Sequence, residues 1–131
     1  MAGIKNDKGK PNYTHIPKHA MDAMGEAFNY GANKYSADNY REGMHVRRSI
    51  AAALRHIYQF LDEGDIDAES GCEHIGCALA SLAMAAYTVK NRPEFDDRYR
   101  PKKVTSISSG KNQITRSQQR TPTIAKKGKR P

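Results

Sequence analysis

The chain has 131 residues, 37% of them hydrophobic, and a mean hydropathy of −0.83, which allows one domain with a modest core. No run of eighteen apolar residues is present, so no membrane span is expected. The net charge of +8 suggests nucleic acid, but nine of the 22 basic residues and no acidic ones lie in 101–131. The other thirteen share residues 1–100 with all 14 acidic residues, so the body is near neutral.

The opening MAGIKNDKGKP has no apolar signal region, so secretion is not expected. The expected compartment is the cytoplasm, that of the host if a phage encodes the chain. Within this segment Lys8 and Lys10 flank Gly9 ahead of any helix. A first helix is predicted from Pro17, which suits a first turn, to Gly31, which can end a helix in the left-handed conformation. Met21, Met24 and Phe28 recur at helical spacing and read as its core stripe. The loop that follows carries Lys34, Tyr35, Asn39, Tyr40 and Arg41, ahead of Arg47 and Arg48.

A second helix is predicted over 46–62. Ile50, Leu54, Ile57 and Leu61 form one apolar stripe, Arg48, Arg55 and Asp62 a polar one, and His56 with Glu63 another. A third is predicted over 68–89, with Asp67 as N-cap and Glu69 in the first turn, where negative charge is favoured. Its main stripe is Ile75, Leu79, Leu82, Ala86 and Val89. A second face of Gly76, Ala80 and Ala83 suggests close packing with another subunit. The link between the two helices is short, so they form an antiparallel hairpin. Cys72 and Cys77 lie five apart in this third helix and point in different directions, so no disulfide is expected, in keeping with a reducing cytosol. No strand pattern and no internal repeat is evident. The fold class expected is all-α: a small helical bundle built on an antiparallel hairpin and completed by oligomerisation, as a dimer or tetramer. Residues 1–100 form the domain. Residues 101–131, rich in Ser, Thr, Gln, Lys and Pro without an aromatic, read as a disordered basic tail able to meet nucleic-acid phosphates.

Five of the eight residues from Asp62 to Glu69 are acidic, at the joint of the hairpin. Folding the hairpin about Asp65 brings His56 opposite His74, with Glu63, Asp67 and Glu69 nearby. Carboxylate oxygens suit Mg²⁺ or Mn²⁺, and imidazoles shift the preference toward Mn²⁺ and transition metals. The ordinary reading is solvated loop acids, a capping Asp67 and histidines satisfied by backbone. No zinc pattern is present, His74 and Cys77 at i, i+3 being a weak one. The cationic clusters suit phosphate oxygens, although the P-loop pattern is absent. Metal-type carboxylates and phosphate-type cations together suggest a nucleotide polyphosphate site.

The segments DKGKP, IP, YGANKY, DNYREGM, AALRH and DAESGCEH occur in the order and spacing of the phage and bacterial dATP/dGTP diphosphohydrolases, a MazG-like all-α family that the chain resembles over residues 5–88. That resemblance implies a metal-dependent enzyme, with Mg²⁺ or Mn²⁺, cleaving dGTP or dATP to the monophosphate and pyrophosphate. In phages with modified DNA such a step feeds 2-aminoadenine nucleotide synthesis. The residues implied are Lys10, Lys34, Asn39, Arg48, Arg55, His56, Asp67, Glu69 and His74. Tyr40 stands where the family usually has Trp, and Cys77 where a second histidine is frequent. The ExxE and ExxD pair of MazG helices is not evident, so the ligand set rests on the hairpin. It comprises Asp67, Glu69 and Glu63, with His56 and His74 as ligands or as groups orienting the carboxylates. Glu69, Arg55 and Lys10 carry the catalytic roles. Lys8, Lys10, Lys34, Arg48 and Arg55 bind phosphates, and Tyr35, Asn39 and Tyr40 meet the base. The rival readings are a small nucleic-acid-binding protein using its tail, and an inactive nucleotide-binding assembly protein.

Overall fold

A computed structural model describes residues 1–102, and the basic tail beyond lies outside the described residues. Contacts divide the chain into Met1–Arg98 and Tyr99–Pro131. The first unit is all-helical: α1 (Lys18–Lys34), α2 (Val46–Glu63) and α3 (His74–Asn91), with 3₁₀ turns at Tyr13–His15, Asn39–Glu42 and Pro93–Phe95. Among the described residues no strand forms; a single bridge pairs Ile66 with Glu73. No helix there is long and apolar enough to cross a membrane.

Packing centres on α3, which lies against α2 on one side and α1 on the other. α2 and α3 form the expected antiparallel hairpin, with His56 meeting His74 at its closed end. α1 runs in the same direction as α3. His19 bonds Glu73 near both N-terminal ends, and the rings of Phe28, Tyr40 and Tyr87 stack edge to face further along.

Three local expectations change. α1 continues through Gly31 to Lys34, and the chain leaves the helix at Tyr35, whose N–H donates to the Gly31 carbonyl at 2.9 Å. α3 starts at His74, not Ala68. Gly71, at φ +71°, reverses the chain in a left-handed turn, and Glu73 at the N-cap is extended. Asp67 therefore caps a closed turn in the loop rather than the helix. Of the expected stripe of α1, Met21 is 49% exposed, whereas Met24 and Phe28 are partly covered, and the buried residue of the helix is Ala23.

The largest change concerns which faces are covered. The buried residues of α2 and α3 are small or polar: Ser49 and Ala53, then His74, Gly76, Ala78, Ala80, Ser81, Ala85 and Thr88. The expected core stripes lie one residue further along each helix and are open. Leu54 is 46% exposed, Leu61 68% and Leu82 43%. One residue is 100° of rotation. In an antiparallel pair the two rotations carry both stripes to the same side, so the hairpin presents one continuous apolar face. The small face of α3, expected to meet another subunit, instead meets α1. A Cβ on Gly76 would collide with the backbone of Ala23. Gly76→Val is accordingly expected to lower stability by about 1–3 kcal/mol through overpacking, read as a fall in Tm.

Candidate metal centre and substrate cavity

The site is built by the loop that joins α2 to α3. Its ends are tied where His74 N–H donates to the Asp65 carbonyl and Asp67 N–H to that of Cys72, both at 2.8 Å. Inside it, Asp67 Oδ2 accepts from the Ser70 hydroxyl at 2.6 Å and from its N–H at 3.1 Å. This Asx-type turn fixes the carboxylate on the side facing the two helices. The Ser70 hydroxyl also accepts from Cys72 N–H at 3.2 Å.

The result is a cluster. His56 from α2, Asp67 from the loop and His74 from α3 each offer one ligand atom, and these atoms lie within 4.8 Å of one another. His74 is only 2% exposed, while His56 and Asp67 are partly covered. The two Nδ1 atoms are 3.0 Å apart. Without an ion, a hydrogen bond between a protonated and an unprotonated Nδ1 accounts for that distance. Two nitrogens bonded to one ion at about 2.1 Å and at right angles would be about 3.0 Å apart as well. Two imidazoles and one carboxylate, with open positions, fit Mn²⁺ and the later divalent metals better than Mg²⁺, which takes oxygen.

Electrostatics favour the ligand forms. Burial lowers the pKa of His56 below the ordinary imidazole value, against the raising effect of the Asp67 charge. The Ser70 hydroxyl, donating to Asp67, is the main cause of a carboxyl pKa below the usual range. Neutral imidazole and ionised carboxylate are the forms a metal requires. Burial raises the pKa of Cys77, which favours the thiol over a thiolate.

The other sequence-predicted residues are placed around this centre. Glu63 ends α2 and Glu69 lies on the loop, both exposed and outside the cluster. Glu69 instead pairs with Lys34 Nζ at 3.0 Å, joining the loop to the end of α1. Arg55 adjoins His56, and its charge reaches that imidazole. Arg48 lies two turns earlier on α2, exposed like Arg55. Lys8 and Lys10 are exposed in the N-terminal segment, where Lys10 lines an open cavity of about 640 Å³ with Asn12 and Tyr13. Tyr35, Asn39 and Tyr40 all line a second, apolar cavity of about 130 Å³ between the C-terminal half of α1, the Asn39–Glu42 turn and α3. Ser70, which holds Asp67, was not among the expected site residues. Its signal was the Asp-x-x-Ser spacing, the same pattern that reads as a helix cap. Gly31, Asp38 and Met84, on the cavity wall, carried no signal of their own.

Fold and site together define an all-α domain with a candidate metal centre at the closed end of a helix hairpin. Residues 1–98 match the family described as dATP/dGTP diphosphohydrolase, N-terminal, and the chain belongs to that family. A dATP/dGTP diphosphohydrolase of Salmonella phage PMBT28 is 31% identical over 98 residues, which is 75% of this chain and 33% of that protein. The chain thus spans about a third of the length of the curated relative it matches. No solved structure matches it.

Proposed function

We propose that the protein hydrolyses a purine deoxynucleoside triphosphate, dGTP or dATP, to the monophosphate and pyrophosphate. The observation that carries this reading is the convergence of His56, Asp67 and His74 inside the segment matched by the family. In this proposal these three residues hold a divalent ion, Mn²⁺ or Mg²⁺, the imidazole pair favouring Mn²⁺. Bound there, the ion supplies positive charge to phosphate oxygens and acidifies water.

The chain's own residues do the rest. The Lys34–Glu69 pair is exposed, and such pairs are worth little in water. A triphosphate entering between α1 and the loop takes over Lys34 as a phosphate partner and frees the Glu69 carboxylate, two residues from Asp67. Glu69 then accepts the proton of the water that attacks the α-phosphorus. Arg55, with Arg48, Lys8 and Lys10, meets the charge of the departing pyrophosphate. The base enters the apolar cavity beside Tyr35, Asn39 and Tyr40. Such hydrolysis is a step that purine deoxynucleotide metabolism of a phage could use, including synthesis of 2-aminoadenine nucleotides.

The second element of the proposal is a homo-oligomer. No Leu, Ile, Phe or Met side chain is fully buried among the described residues, while the hairpin face leaves several half open. A second copy of this chain covers that face.

Incubating the full chain with each dNTP and Mn²⁺ or Mg²⁺, then separating the products, tests the activity. Equal amounts of deoxynucleoside monophosphate and pyrophosphate from dGTP or dATP are expected. Orthophosphate, triphosphate or unchanged nucleotide would refute it.

A further inference from the structure

The geometry points to a base-reading device in the apolar cavity: Gly31 opens the floor on which a purine ring lies, and Asp38 reads its Watson–Crick edge, favouring guanine over adenine. This rests on the reading of the protein as a purine deoxynucleotide hydrolase and adds what selects the base.

Two observations carry it independently. The first is Gly31. It sits in the last turn of α1, where glycine is a poorer helix former than alanine. Packing within the chain does not require it, because a Cβ there would find nothing within 4 Å. The space above it belongs to the cavity, whose wall it forms with Ala27, Ala32 and Ala80. Small residues and the rings of Phe28, Tyr35 and Tyr40 line the cavity together, a mostly apolar lining that suits a flat aromatic ring. Gly25, on the same helix, is equally open but does not line the cavity.

The second is Asp38. Among the described residues it alone, apart from glycines, has a positive φ, at 62°. A non-glycine residue there costs backbone energy that the surroundings must sustain. This turn makes Asp38 one of the few polar residues, with Ser36 and Asn39, that line a mostly apolar cavity. Arg41 Nε holds Oδ1 at 2.9 Å, which fixes the group. Guanine presents N1–H and its 2-amino group side by side, two donors that match the two oxygens of a carboxylate. Adenine presents the N1 lone pair and a C–H at the same edge, so the carboxylate would repel it. A site built to accept such donors discriminates against an analogue without them.

Equilibrium dialysis of the full chain with dGMP and dAMP tests this without turnover, so an inactive protein would not obscure it. The wild type is expected to bind dGMP at least about tenfold more tightly than dAMP, with the gap shrinking below about threefold in Asp38→Asn. Asn keeps the size of Asp and tolerates positive φ well, so the fold should persist. Gly31→Leu should weaken both nucleotides at least about tenfold by filling the cavity, whereas Gly25→Leu should bind as wild type. Gly31→Ala, a better helix former, gives a smaller loss in the same direction should the leucine variant fold poorly. Equal affinity of the wild type for dGMP and dAMP, a gap that survives Asp38→Asn, or full binding by a folded Gly31→Leu would each overturn the inference. Absence of dGTP hydrolysis with these binding results intact would instead count against the proposed activity alone.

Discussion

Asp67→Asn is expected to abolish hydrolysis while leaving the fold in place, with turnover down roughly a thousandfold or more, equivalent to about 4 kcal/mol of transition-state stabilisation. Asn retains the side-chain oxygen that accepts from Ser70, so the loop turn survives. What it loses is the charge that a divalent ion needs. Mn²⁺ binding, followed by electron paramagnetic resonance or calorimetry, should weaken in parallel. Glu69→Gln separates the two roles at this end of the hairpin. It removes a proton acceptor outside the three-residue cluster, so turnover should fall strongly while Mn²⁺ affinity stays close to wild type. An Asp67→Asn variant with unchanged Mn²⁺ affinity would sink the metal assignment. Near wild-type turnover in Glu69→Gln would leave that residue as the partner of Lys34 alone. His74→Ala is a less clean test, since it opens a cavity under a buried ring and leaves His56 without its bond.

The second large effect is expected at the apolar face. In sedimentation equilibrium the wild type should run as a dimer or tetramer, and Leu54→Glu combined with Leu82→Glu should shift it to monomer. Burying a leucine contributes roughly 1.5–3 kcal/mol, so each protomer loses several kcal/mol from these two positions together. That is comparable to the whole stability of a small domain. The double variant should therefore melt well below the wild type, or not fold. A wild type that sediments as a monomer at all concentrations, with a double variant of equal Tm, would show that the face stays open to water.

Much of this protein was legible along the chain. The 4, 3, 4 spacing of Ile50, Leu54, Ile57 and Leu61 implies α2 without any tertiary help, because amphipathic periodicity is a local property. The break after Glu63 implies a hairpin, which forms although the link, residues 64–73, is longer than the short one expected, and the hairpin places His56 opposite His74. The Asp67–Ser70 spacing carries the bond that holds the carboxylate. The direction of that bond was legible, but not whether a helix would follow it. Gly71, four residues on, sends the chain through a left-handed turn instead, and the helix waits for His74.

Only the tertiary structure decided which faces are covered. α3 is apolar on two sides, and periodicity ranks the larger side chains as core. Within one chain the close contacts belong to the small ones. Gly76 lets α1 approach to backbone distance, and Ser49, Ala53, Ala78, Ser81 and Ala85 lie buried in the two helices of the hairpin. Burial is a property of two surfaces meeting, and a single sequence states only one surface at a time. For the same reason the sequence named five candidate metal ligands at the hairpin, whereas the structure brings ligand atoms of three of them, His56, Asp67 and His74, within 4.8 Å of one another. Glu63, at the end of α2, and Glu69, on the loop, have the right chemistry but lie outside that group, and Lys34, 35 residues away in the chain, is the group that Glu69 meets.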